Sequence, residues 1–409
     1  MNSLILSNAT IVTPEETIEG SLVCEDGLIV AVEARQIRGG LDLGGAIVAA
    51  GFIDLHNDGL EGEINPRPGV GLPLDFALSN FDRRAAASGI TLAFHAITFA
   101  GIAKKERSVE AADERATAIR RMDPAKSIVE HQVLFRADVW QPEGLPLLFE
   151  RAMDWDTRLV TLNDHTPGQG QYRDIDIYRA AITKWVELGS EAEASAHVVG
   201  KMAFAREHPE LANETFAKIA AAVPRLGMTL GSHDDDSAER CAFMHGLGAT
   251  ISEFPVTVEA AQKARELGMT IVAGAPNVVR GGSHSGNVSA LELVMLGFCD
   301  ILVADYHAPS LLLAVQRLVE ECGLALAEAM ALVTRNPAAA IGRSDLGVVE
   351  PGRNATLTIV RTQAGAHWRA VGVVRGGVLR AQFEPLSAVT AGDNSPDHGS
   401  EILVGAAAL

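Results

Sequence analysis

The feature that most limits the fold of this chain is an alternation repeated eight times. Short apolar segments at 51–55, 91–97, 128–137, 158–163, 228–232, 249–253, 269–273 and 300–304 read as strands. Amphipathic stretches at 78–88, 111–121, 213–222, 237–247, 258–267 and 291–297 lie between most of them. Eight strand–helix steps predict an α/β fold, a (β/α)8 TIM barrel over 51–344. Residues 170–212 are helical and charged in pattern, and are expected to form an excursion over the barrel mouth after strand four.

The two ends read differently. Strands are expected at 3–5, 9–12, 21–24 and 28–32, and again at 355–361, 370–375 and 378–383. Neither end is long enough for its own core. Residues 1–50 and 345–385 are therefore expected to meet in one small β-sandwich domain, with 386–409 as a loosely ordered tail.

In such a barrel the chemistry sits at the carboxyl ends of the strands. Strand one ends in His56 and Asp58, two residues apart and so expected on one face. Strand three ends in Arg136-Ala137-Asp138, strand four in Asp164-His165 and strand five in His233-Asp234-Asp235-Asp236. Strand six ends in Glu253-Phe254-Pro255, strand seven in Gly274-Ala275-Pro276-Asn277 and strand eight in Asp305. Imidazole with carboxylate suits zinc, manganese or iron better than calcium. His56 and Asp58 would clamp one ion, His165 and His233 a second, and Asp138 could bridge the two. Asp305 could touch a metal and take a proton from activated water. Asp234 is expected to orient His233. One of the three consecutive aspartates is expected to cap the following helix, and Arg136 is the ion-pair alternative for Asp138.

Two loops suit an anion. Prolines on both sides fix Arg67 after strand one. After strand seven, Arg280-Gly281-Gly282-Ser283-His284-Ser285-Gly286-Asn287 offers hydroxyls, backbone N–H groups and a cation ahead of a helix. With Asn277, the residues Arg67, Arg280, Ser283, His284, Ser285 and Asn287 form the candidate substrate-binding set. His95 and His131 are expected to pack within their strands; for His307, close behind Asp305, a place in the pocket is the lesser alternative to a structural role.

A formal charge of −18 argues against a nucleic-acid surface. There is no run of 18 apolar residues and no secretory signal pattern, so neither a membrane span nor export is expected. Four scattered cysteines, Cys24, Cys241, Cys299 and Cys322, fit a reduced, cytoplasmic protein. The expected partner is a small phosphorylated molecule, and self-association as a homodimer is compatible with the sequence.

Together these motifs resemble the amidohydrolase superfamily. More narrowly they are similar to its phosphonate-metabolism branch, the diphosphatases acting on alpha-D-ribose 1-methylphosphonate 5-triphosphate. The resemblance is carried by Gly51-Phe52-Ile53-Asp54-Leu55-His56-Asn57-Asp58, Pro66-Arg67-Pro68, Asp164-His165-Thr166-Pro167-Gly168-Gln169, Ser232-His233-Asp234-Asp235, Glu253-Phe254-Pro255 and the loop 274–287. Asp305-Tyr306 and Thr334-Arg335-Asn336-Pro337 extend it. It implies an amidohydrolase-type barrel, a pair of divalent ions (zinc or manganese), and hydrolysis of the triphosphate to a 5-phosphate and pyrophosphate. The alternative within the superfamily is a deacetylase or cyclic amidase acting on a C–N bond.

Overall fold

The computed structural model describes residues 3–67, 69–101, 108–185, 190–282 and 286–388. Eight parallel strands form a nearly closed barrel: Phe52–Asn57, Ile90–Thr98, Glu130–Asp138, Leu159–Asn163, Thr229–His233, Ala249–Glu253, Thr270–Gly274 and Ile301–Val303. Each pairs with the next in sequence order. Both faces are covered, so the strands are apolar nearly throughout. Ile53, Leu55, Leu92, Phe94, Leu134, Ile251, Val272 and Ile301 fill the interior. Their neighbours Phe52, Val133, Phe135, Val160, Leu230 and Ile271 pack in the outer cluster with the helices.

The seam between strands one and eight is closed by polar bonds. Asp305 N–H donates to the His56 carbonyl at 2.9 Å, and Asp58 N–H to the Asp305 carbonyl at 2.7 Å. Inside, the fully buried carboxylate of Asp54 accepts from Ala304 N–H at 2.9 Å and from Asn57 Nδ2 at 2.7 Å. Burial pushes this carboxyl up to about 7 against those hydrogen bonds. The same contacts that close the barrel therefore set the positions of His56, Asp58 and Asp305.

The remaining strands form a separate, mostly antiparallel sheet from both termini, with Leu6, Ile11, Leu22, Val48, Leu357, Ile359 and Val371 in its core. Two expected strands at 3–5 and 9–12 are one bulged strand, Ser3–Val12. Leu41–Ala50, which sequence reading left out, lies at the centre of this sheet, parallel to Ser3–Val12 and antiparallel to Leu357–Arg361. Gly44 and Gly45, both with positive φ, interrupt its pattern. They form an outward loop opposite Asn8 (φ 53°), and Asp42 Oδ1 accepts from Asn8 Nδ2 and Gly44 N–H, each at 2.8 Å.

After strand four, the helices Ile175–Trp185 and Glu191–Glu207 build a small cluster of their own around Tyr172, Tyr178, Ala194 and Val198. The Phe204 ring meets Trp140, just past strand three, at 6.5 Å. This places the second helix beside the barrel mouth. The expected tail lies outside the described residues from 389 onward.

Candidate active site

Five of the six residues read from the sequence as metal ligands come together at the mouth. Ligand atoms of His56, Asp58 and Asp305 lie within 4.8 Å of one another, and so do those of His165, His233 and Asp234. His56 Nε2 is 3.6 Å from Asp58 Oδ2, and His233 Nε2 is 3.5 Å from Asp234 Oδ2. Two donors bound tetrahedrally to one zinc-sized ion sit about 3.4 Å apart, so these spacings suit a shared cation better than direct hydrogen bonds.

Glu253, at the end of strand six, organises both histidines. Its Oε1 is 2.8 Å from His56 Nδ1 and its Oε2 is 2.7 Å from His233 Nδ1. A carboxylate only accepts, so both Nδ1 atoms carry a proton, and in the neutral, ligating form of each ring the Nε2 lone pair faces the pocket. Arg136 supports this tautomer independently. Its Nη2, which can only donate, lies 3.5 Å from His233 Nε2. Although the metal cluster of His56, His233 and Glu253 is geometrically tight, Glu253 is thus an orienting group facing away from the Nε2 pair. The residues present fit a divalent ion: neutral imidazole nitrogens, carboxylates, and hydrogen bonds behind the imidazoles.

The electrostatics show a cation taking the place of a proton on His56 when it binds. Burial opposes the charge on His56, yet Glu253 and Asp58 draw its pKa up to about 10 in the ion-free pocket. Burial also works against Glu253, but the two histidines hold it down to about 2. Asp58 is depressed well below the carboxylate range, because Arg136 and His56 outweigh its desolvation. Burial raises Asp305 to about 6, with Asp58 adding to the rise and His56 and Arg136 opposing it. His165 is pushed well below its usual value by burial and by the cations around it, so it is a neutral donor. The pocket has an excess of negative charge that a cation relieves.

Backbone strain concentrates here as well. Among the described residues five non-glycine positions have positive φ, and three of them, Asp234 (56°), Phe254 (55°) and Asp305 (55°), follow strands five, six and eight at this mouth. The left-handed turn redirects the chain immediately after each strand. Phe254 then presents its ring edge to both His56 and His233, at 5.2 and 5.3 Å.

Asp138 corrects the expectation of a bridging carboxylate. It joins none of the three metal-capable groups among the described residues. Its Oδ1 instead accepts from Trp140 N–H at 2.8 Å, an Asx turn that ends strand three. Arg136 does not pair with Asp138 either. It points into the site, with Nη1 3.2 Å from Asp58 Oδ1. The Asn163 amide, turned so that its oxygen faces the guanidinium, accepts from Arg136 Nε at 2.9 Å.

The capping expectation is also corrected. Ser237 caps the next helix by accepting from Arg240 N–H. Asp235 is buried and accepts from Ser232 and Ser252, while Asp236 accepts from Gly170 N–H at 2.8 Å. Asp234 lies with His233 and His165 in a metal-capable group, a place nearer the ligand set than the expected supporting one.

Arg67 and Arg280 are exposed and, among the described residues, have no ion-pair partner. Asn277 is half-buried in the turn of helix Ala275–Arg280, which Gly281 ends at φ 77°. Asn287 Nδ2 donates to the Gln171 carbonyl at 3.2 Å, and its buried Oδ1 has no donor among the described residues. Ser283, His284 and Ser285 lie outside the described residues. Glu63 forms an ion pair with Arg84, away from the metal-type cluster. His307 bonds Ser310 Oγ through Nδ1 at 2.8 Å.

Sequence reading missed the roles of Glu253, Arg136 and Asn163. The signal available for Glu253 was its position: a carboxylate ending an otherwise apolar strand, followed at once by Phe-Pro.

Comparison with known proteins agrees with this geometry. Residues 250–383 match the amidohydrolase family. The chain is 35% identical over 361 residues to the alpha-D-ribose 1-methylphosphonate 5-triphosphate diphosphatase of Escherichia coli (strain K12), covering 87% of this chain and 94% of that protein. Among solved structures, N-acetylglucosamine-6-phosphate deacetylase from Pasteurella multocida is similar in fold at 15% identity, with TM-score 0.57 over 93% of this chain and all of the other. A triazine hydrolase variant is similar at 15% identity and TM-score 0.58, over 93% and 94%. The chain therefore belongs to the amidohydrolase family, in the same branch as the Escherichia coli diphosphatase.

Proposed function

We propose that this chain hydrolyses alpha-D-ribose 1-methylphosphonate 5-triphosphate to the 5-phosphate and pyrophosphate, as a step of carbon–phosphorus bond degradation. The observation that carries this reading is the 35% identity with the Escherichia coli diphosphatase across 87% of the chain. The reaction breaks the bond between the α-phosphorus and its bridging oxygen, and water supplies the new oxygen.

His56, Asp58 and Asp305 would hold one divalent ion, and His165, His233 and Asp234 a second, zinc or manganese by donor type. Bound there, such ions lower the pKa of water and neutralise phosphate charge. Asp305 takes the proton that water loses; its carboxyl stands at about 6 in the ion-free pocket and so is mostly ionised at neutral pH. Glu253 keeps both imidazoles in the ligating tautomer. Arg136 keeps Asp58 ionised and adds a fixed cation beside the site. Arg67 and Arg280 carry charge of the sign that a triphosphate needs, in a chain whose net charge is −18. Among the described residues no helix is long and apolar enough to cross a membrane. All four cysteines are free, which supports a reducing, cytoplasmic setting.

The test is to incubate metal-loaded protein with the triphosphate and follow products by phosphorus NMR. Pyrophosphate release supports the proposal. Stepwise orthophosphate, or turnover of amides alone, would replace it with another amidohydrolase chemistry.

A further inference from the structure

A second polar cavity, of about 450 Å³, opens at the other end of the barrel. Thr91 and the run Glu130–Gln132 line it from the starts of strands two and three, and the terminal sheet faces them with Arg375 and Arg380. The metal-type residues stand at the carboxyl ends of strands one, four, five and eight, whereas this cavity meets strands two and three at their starts, so the two sites lie at opposite ends of the barrel.

With Asp345 counted, its charges are equal in number but unevenly paired. Arg343 is paired with Glu130 at 2.9 Å and with Asp345 at 2.8 Å. Arg120 bonds the Asp154 carbonyl at 3.0 Å and lies over the Trp155 ring, with Asp154 and Asp156 also on the wall. Among the described residues the hydrogen bonds of Arg375 and Arg380 go to backbone: the Pro124 and Ser127 carbonyls for Arg375, and Ala125 at 2.7 Å for Arg380. Among the described residues neither has a carboxylate at ion-pair distance. Burial and then Arg380 hold Arg375 below its usual range, so the two cations work against each other. Two buried atoms on this wall also lack partners among the described residues: Arg380 Nε, a donor, and Gln132 Oε1, an acceptor.

An unpaired guanidinium donor asks for an oxyanion. An unpaired amide oxygen on the same wall asks for a hydroxyl or N–H donor. The volume is in the range of small-molecule sites. We propose that this cavity binds a hydroxylated phosphate ester of sugar-phosphate size, its phosphate on Arg375 and Arg380 and its hydroxyls toward Gln132. The proposal stands apart from the function proposed for the mouth, since it uses none of those residues.

The test is calorimetric titration of the full chain with ribose 5-phosphate, and separately with inorganic phosphate. Ribose 5-phosphate should bind more tightly than phosphate. Arg380→Gln should weaken it about tenfold or more, as loss of a charge-assisted contact does, and His165→Ala at the mouth should leave it unchanged. Arg380→Lys, which keeps the charge but loses the planar fork, should weaken binding several-fold at an unchanged melting temperature; this separates binding from folding. Equal binding by Arg380→Gln, loss of binding in His165→Ala, or no heat with either probe would overturn the proposal and leave a water-filled void.

Discussion

The imidazole rings of His56 and His233 stack 5.7 Å apart and 21° from parallel, because the two oxygens of Glu253 each hold one Nδ1. One carboxylate on strand six thereby sets the tautomer of two ligands on strands one and five. Glutamine at 253 has nearly the same shape but only one acceptor oxygen; its NH2 group opposes the second Nδ1–H. Glu253→Gln should therefore weaken divalent-metal affinity about 10- to 100-fold, measured by competition with a chelator, and excess metal should partly restore turnover. An unchanged affinity would mean that the histidines do not ligate through Nε2.

Arg136 gives a prediction with a pH sign. Asp58 is held well below the carboxylate range against its burial, chiefly by Arg136 and then His56. Arg136→Met removes the largest opposing charge, so the Asp58 carboxyl rises and is ionised only at higher pH. The acid limb of metal binding should move upward in pH, while the alkaline side stays in place. Titrating metal at a series of pH values checks this. An unmoved limb would show that Arg136 acts on substrate rather than on Asp58.

The barrel was legible in the sequence because its strands are buried on both faces and so are unbroken apolar runs; Ala249–Glu253 matches the expected 249–253. Leu41–Ala50 was not legible, since a Gly-Gly loop divides it and its partners are far away in the chain. That His56, Asp58, His165, His233 and Asp305 come together at one mouth could be read from the strand ends. Asp138 misled for a physical reason. It lies at a strand end, but its side chain turns back to its own backbone, and the preceding even-numbered residue, Arg136, occupies the mouth instead. Residue type locates the donor-rich positions, whereas which of two neighbours points inward is decided by backbone turns that only the fold defines.

Gly51 marks the junction between the terminal sheet and the barrel. Its N–H donates to the Thr356 carbonyl at 2.9 Å, and a Cβ added there would collide with the buried Thr91 side chain. Thr91 cannot swing away freely, because its hydroxyl bonds the Phe52 carbonyl at 3.2 Å. Gly51→Ala should destabilise the protein by about 1–3 kcal/mol, the usual cost of overpacking a core. Chemical denaturation would measure it, and Gly51→Ala with Thr91→Ala, which removes both the hydroxyl and the methyl group from the clash, should recover part of the loss.

Asp305 combines two tasks that substitution can separate. It lies within ligand distance of His56 and Asp58, and its backbone closes the barrel seam through N–H and C=O, which a side-chain change leaves alone. Asp305→Asn keeps an oxygen for the metal and the seam, but an amide cannot take a proton from water. Turnover should fall about 10²- to 10⁴-fold, the range for loss of a general base, with metal content and melting temperature near those of the parent protein. The pH profile supplies the sign. The base form of Asp305 exists above its pKa, about 6 without metal, so kcat/KM of the parent protein should rise with pH through an acid limb, which bound cations draw below that value. In Asp305→Asn this limb should vanish from the residual rate. If the limb persists there, the proton goes to a different group, and Asp234, the carboxylate on the Nε2 side of His233, is the next to substitute.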